Sequence, residues 1–117
     1  MKAIYESTEA LGEFFPFCDN YFDSSIARDP NSRTYRVYKQ WLEQLGFHAK
    51  GRKLLEVGCG NGQFLELAIQ EGWEVQGIDF DGSNLRHAAG KALPVVNGDF
   101  LKWDGPQRYF DVICFWD

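Results

Sequence analysis

Cysteine is scarce in this 117-residue sequence and badly placed for cross-linking. Cys18, Cys59 and Cys114 are odd in number, far apart and without a Cys-x-x-Cys pair. Such spacing excludes a disulfide framework and a cysteine-based zinc site, so no metal is expected, and reduced thiols point to the cytoplasm. Long apolar runs are missing too. No stretch approaches the roughly 20 residues that cross a bilayer, and Met1 to Ala10 lacks the pattern of a secretory signal, so no membrane partner is expected. Positive charge is short: twelve Lys and Arg against seventeen Asp and Glu leave a net charge of -5. That balance argues against a nucleic-acid partner held by phosphate contacts. More than half of the basic residues lie between Arg28 and Lys53, which reads as a solvated helix face, the alternative being a local site for an anionic substrate or partner. Histidine is limited to His48, in a linker, and His87, on a helix surface. Both read as solvent-facing rather than catalytic.

Aromatic residues are plentiful. Ten Phe, five Tyr and four Trp suit one folded domain of this length and exclude disorder over most of the chain. Met1 to Ala27 is acidic and aromatic, read as turns and short helix. Its cluster Phe14, Phe15, Phe17, Tyr21 and Phe22 reads as packing onto a sheet rather than as a pocket roof. Asp29-Pro30 has the form of a helix start, with Asp29 as N-cap and Pro30 at the first helical position. Tyr38, Trp41, Leu42 and Leu45 then repeat at i, i+3, i+4 and i+7, one amphipathic stripe. Leu45-Gly46-Phe47 is expected to end that helix, with Phe47 folded back toward Leu42.

After Gly51 short apolar runs alternate with helical stretches. Strands are predicted at Lys53 to Val57, Glu74 to Asp79, Pro94 to Val96 and Tyr109 to Trp116. Helices are predicted at Gln63 to Glu71 and Ser83 to Lys91. This alternation implies right-handed crossovers and a parallel α/β sheet. The natural boundary, Lys50-Gly51-Arg52, divides one structural domain into an N-terminal helical cap segment, 1–50, and a half-domain, 51–117.

The first strand runs into Gly58-x-Gly60-x-Gly62 and then a helix. Side chains at those positions would keep a ligand away from the backbone, and a helix N-terminus offers N–H groups and partial positive charge to an anionic ligand group. The third glycine comes one residue too early for the dinucleotide fingerprint, which wants glycine at Gln63. That counts against NAD and FAD. Glu56 lies in an otherwise apolar strand and needs hydrogen-bond partners if buried. Cys59 reads as a small residue fitting the loop, the competing reading being a thiol activated by the helix N-terminus.

Leu54-Leu55-Glu56-Val57-Gly58-Cys59-Gly60-Asn61-Gly62 closely resembles the first cofactor motif of class I S-adenosylmethionine-dependent methyltransferases. Val75-Gln76-Gly77-Ile78-Asp79 resembles that family's second strand, Asn97-Gly98-Asp99-Phe100 its acidic element after the third, and Phe110 to Asp117 its fourth. The resemblance covers Leu54 to Asp117. It implies S-adenosylmethionine as cofactor, with its methionine part on the loop Glu56, Gly58, Cys59, Gly60 and Gly62. Its ribose hydroxyls would meet Asp79, and its adenine would meet Phe80, Asp99 and the Phe100 N–H. Two carboxylate oxygens can accept from two adjacent hydroxyls, which gives Asp79 a chemical reason for that role as well. An Asx-turn is the structural competitor at Asp99.

The family fold has seven strands in the order 3-2-1-4-5-7-6, and this sequence supplies the 3-2-1-4 part, a Rossmann-like sheet that is incomplete by that standard. The expectation is a truncated cofactor-binding part of a methyltransferase acting on a small-molecule acceptor, with no catalytic residue assigned. A non-catalytic binding or assembly module and a nicotinamide-dependent oxidoreductase fragment are the alternatives. The apolar run Val112 to Trp116 is expected to form an exposed edge strand, which seeks a partner such as a second copy of the chain in a homodimer.

Overall fold

The structure, a computed structural model, describes residues 29–115. The aromatic cluster Phe14 to Phe22, Cys18, Trp116 and Asp117 lie outside the described residues. Helix α1 spans Arg33–His48 and is capped by Ser32, whose side chain accepts from the Tyr35 N–H at 3.0 Å. Asp29 therefore is not the N-cap. Its carboxylate accepts from the Asn31 N–H and its carbonyl from the Ser32 N–H, both at 2.9 Å, making a turn that delivers Ser32 to the capping position. Nor does Gly46 end the helix, which continues to His48 until extended Ala49 closes it. Gly46 serves a different need: a Cβ there would run into the Arg52 guanidinium. Phe47 is 86% exposed rather than folded onto Leu42, and its ring meets His48 edge-on.

Four parallel strands follow: β1 Lys53–Val57, β2 Glu74–Asp79, β3 Val95–Asn97 and β4 Val112–Phe115, in the order β3-β2-β1-β4. Helix α2, Gln63–Gln70, links β1 to β2, and α3, Gly82–Gly90, links β2 to β3. A short 3₁₀ turn, Phe100–Lys102, opens the crossover to β4. The predicted sheet and its strand order are observed, with β3 shifted by one residue and β4 shorter than the apolar run, because pairing with β1 begins only at Val112.

Strand residues in register share a face, so Leu54, Val75 and Val112 form a single layer. They join a buried cluster with Phe64, Leu65, Leu67, Ala68 and Trp73, into which α1 sends Trp41 and Leu42. Tyr38 meets the Phe64 ring edge-on at 5.2 Å, tying α1 to α2. The other face carries an aromatic chain from the β3–β4 crossover, in which Phe100 touches Trp103 and Phe115, and Trp103 touches Phe110. On β4, Val112 and Cys114 are buried and Ile113 and Phe115 half-buried. As expected from the run, β4 is the last strand of the sheet, paired with β1 on one side, although its apolar side chains are largely covered. No helix among the described residues is long and apolar enough to cross a membrane.

Candidate functional site

The carboxyl ends of parallel strands, where neighbouring crossovers diverge, form the crevice in which open α/β sheets bind ligands. Here β1 passes through Gly58 (φ +77°) into a loop that ends at Gly62 (φ +83°), the N-cap of α2. Both need glycine for this backbone, but their surroundings differ. A Cβ on Gly62 would strike the Leu93 side chain and crowd the Ala88 Cβ at 3.3 Å, whereas one on Gly58 would meet nothing within 4 Å. Gly62 is packed against the protein; Gly58 faces open space.

The loop is tied down from behind. Gly58 and Cys59 N–H groups both donate to the Ile78 carbonyl, at 2.7 and 3.3 Å, and Gly62 N–H donates to the Cys59 carbonyl at 3.0 Å. Gln63 N–H donates to Asn61 Oδ1 at 3.3 Å. Gly60 N–H donates to Asp79 Oδ2 and Asp81 N–H to Asp79 Oδ1, both at 2.8 Å. The N–H groups of Gly58, Cys59, Gly60, Gly62 and Gln63 are therefore partnered inside the protein, and what the loop presents at Gly58 is bare backbone. Asp79, 7% exposed, joins the glycine loop to the end of β2.

Glu56 lies beneath this loop, 4% exposed, in register with Gly77 of β2 and Cys114 of β4. Its Oε2 has no hydrogen-bond partner among the described residues. Burial, with the Asp79 charge adding to it, pushes the Glu56 carboxyl well above the usual range. Burial likewise raises the Cys59 thiol to about 12, helped by Glu56 and Asp79. A thiol held there is protonated at neutral pH, so the nucleophile reading of Cys59 fails. Its sulfur instead packs against β2, where a Cβ on Gly77 would approach it to 2.7 Å.

Above the strand ends lies a cleft of about 650 Å³. Val57, Ile78 and Phe115 form apolar strand-end contacts, Gly58 and Asp79 contribute the loop side, and Phe80, Asp99, Phe100 and Leu101 line the rest. Phe80 and Leu101 stand 82% and 89% exposed at its margin. Asp99 makes the Asx-turn that competed with a binding role, accepting from the Leu101 N–H at 3.0 Å through Oδ1 and capping the 3₁₀ turn. Of the predicted residues, Gly58, Asp79, Phe80, Asp99 and Phe100 gather on the cleft, Glu56 lies buried on β1 beneath the glycine loop, and Cys59, Gly60 and Gly62 shape that loop.

Sequence reasoning missed four contributors. Leu101 follows the noticed Asp99-Phe100, and Phe115 sits at the end of a predicted strand, so both carried a signal. Leu93, behind Gly62, and Lys91, whose Nζ lies 3.4 Å from both the Asn61 carbonyl and Glu66 Oε2, act across about 30 residues and carried none. Among the described residues no group of three or more His, Cys, Asp or Glu is arranged to hold a metal.

The profile of the methyltransferase domain family matches residues 31–117. The sequence is 28% identical over 113 residues to a ubiquinone biosynthesis O-methyltransferase of Leptothrix cholodnii, covering 89% of this chain and 48% of that protein. It is 39% identical over 78 residues to the enzyme of the same name from Bordetella avium, covering 67% of this chain and 32% of that one. Among solved structures it resembles a SAM-dependent methyltransferase from Archaeoglobus fulgidus, with a TM-score of 0.55 and 30% identity over 81% of this chain and 42% of the other. The chain thus spans about half the length, or less, of these relatives.

Proposed function

The chain belongs to the methyltransferase domain family, with its Rossmann-like 3-2-1-4 sheet, and from that premise we propose that the cleft binds S-adenosylmethionine for methyl transfer to a small-molecule acceptor. The observation that carries this reading is the pairing of Gly58 with Asp79. Gly58 has open space where any other residue would project a side chain, and the buried Asp79 carboxylate stands beside it on the cleft wall.

The residues present fit the cofactor. Each Asp79 oxygen accepts one backbone N–H, and a carboxylate has about four acceptor positions, so two remain for ribose hydroxyls. Asp99 keeps Oδ2 for the adenine amino group while Oδ1 holds its turn. Phe80 offers an exposed ring for stacking. The unpartnered Glu56 oxygen and the bare loop suit the cationic methionine end. Cys59, Gly60 and Gly62 support the loop's shape rather than touching the ligand.

When bound, the cofactor supplies a sulfonium methyl group already activated for in-line displacement. The protein's task is then mainly positioning and exclusion of water, for which an apolar strand-end floor with one fixed carboxylate is suited. The O-methyltransferase relatives favour an oxygen acceptor. Among the described cleft residues the titratable groups are Asp79 and Asp99, both committed to backbone N–H groups, so a general base is not assigned. That same observation favours a second reading, a cofactor-binding module without turnover of its own. Methyl-labelled S-adenosylmethionine offered with a panel of small phenols tests the choice. Label appearing in a phenol supports the enzyme; saturable cofactor binding without transfer supports the module.

A further inference from the structure

A buried carboxylate whose second oxygen has no partner is expensive as an anion and cheap as an acid. Glu56 is in that position. The groups facing it are Asp79 from the end of β2, Cys59 from the glycine loop and Cys114 from β4, while Gly77, its register neighbour on β2, offers no side chain. None of these is a cation, and no Lys, Arg or His acts on Glu56 among the described residues. The two acids are also unequal. Asp79 accepts N–H groups on both oxygens, whereas Glu56 Oε2 accepts from nothing described. A single proton shared by such a pair belongs on Glu56.

We propose that Glu56 carries a proton in the ligand-free protein and releases it when a cationic ligand group reaches the glycine loop, so that filling the cleft is coupled to loss of one proton. The reaction balances simply: the neutral acid and the ligand ammonium give a carboxylate–ammonium pair, and the proton passes to buffer. This rests on the cleft being an S-adenosylmethionine site. It adds that cofactor affinity rises with pH over the range in which Glu56 is protonated in the free protein.

Titration calorimetry of the full chain with S-adenosylhomocysteine, run at pH 6 in buffers of different ionisation enthalpy, counts the protons. At that pH the ligand's own amino group, with an ordinary value of about 7.7–8.0, stays charged. The expected result is close to one proton released, with Kd tightening by up to tenfold per pH unit over the range in which Glu56 is protonated in the free protein. In E56Q the release and the pH dependence disappear together. Should E56Q not fold, infrared difference spectra of the wild type decide, since the coupling requires a protonated carboxyl band that vanishes on binding. Binding without proton release, or release that persists in E56Q, overturns the coupling alone. Absence of binding at every pH overturns the cofactor reading beneath it.

Discussion

Replacing Asp79 by Asn probes the point where fold and site meet. In the native protein Asp79 accepts the Gly60 N–H on one oxygen and the Asp81 N–H on the other, each at 2.8 Å. Asn keeps one acceptor and turns an NH₂ toward the second donor, so one charge-assisted bond becomes a donor facing a donor. A hydrogen bond to a charged group contributes about 1.5–3 kcal/mol, and a buried donor left without a partner costs about 1–3 kcal/mol. Against this, removing the negative charge lowers the cost of burying Glu56 nearby. The net expectation is a loss of about 1–3 kcal/mol. At roughly 4 °C per kcal/mol for a domain of this size, Tm falls by about 4–12 °C. The same change removes part of the acceptor capacity assigned to the ribose, so S-adenosylhomocysteine binding weakens by about 10–100-fold. Scanning calorimetry gives the first number and isothermal titration the second. If Asp79→Asn melts within 1 °C of wild type and binds the ligand equally well, the carboxylate neither holds the loop nor receives the ribose.

The two loop glycines separate stability from binding. Gly58→Ala meets only the cost of a left-handed backbone, about 1–2 kcal/mol, yet places a methyl where the ligand would approach and weakens binding at least about tenfold. Gly62→Ala adds a clash with Leu93 to the same backbone cost and lowers stability by about 2–4 kcal/mol in denaturant titration. Ser32→Ala removes the α1 cap and costs about 1 kcal/mol by the same assay. Cys59, with its thiol at about 12, resists alkylation at pH 7.5 in the folded protein and reacts once urea exposes it, as mass spectrometry of the labelled peptide would record. Glu56 also sets a pH dependence of stability: because its folded value is raised, the folded state binds the extra proton. Ligand-free stability therefore falls as pH rises above the ordinary value of 4.5 and levels off past the folded one, a decline that E56Q abolishes in denaturant titrations across pH.

Features set by near neighbours in sequence were legible before the structure. The alternation of apolar strands and helices pointed to a parallel α/β sheet and the family resemblance to its 3-2-1-4 order, and Gly58 and Asp79 meet on one cleft because a right-handed crossover returns the chain to the adjacent strand. The misreadings were local competitions decided by geometry. Asp29 and Ser32 are both good caps, and the turn at Asn31 gave the position to Ser32. Gly46 has the form of a helix end but is there to admit Arg52, which then lies over the Trp73 ring at 4.9 Å. Illegible altogether were contacts between distant segments: Leu93 behind Gly62, Lys91 beside the loop carbonyl, and the Asp79 bond to Gly60. The last ties the end of β2 to the glycine loop, so Asp79 holds the loop from which the cleft is built.

On the proposed function, this cleft is built for S-adenosylmethionine rather than for a dinucleotide. Calorimetric titration of the full chain with S-adenosylhomocysteine and, separately, with NAD tests it directly. One saturable site for S-adenosylhomocysteine and no binding heat from NAD is the predicted outcome. Binding of NAD alone contradicts the claim, as does silence with both ligands.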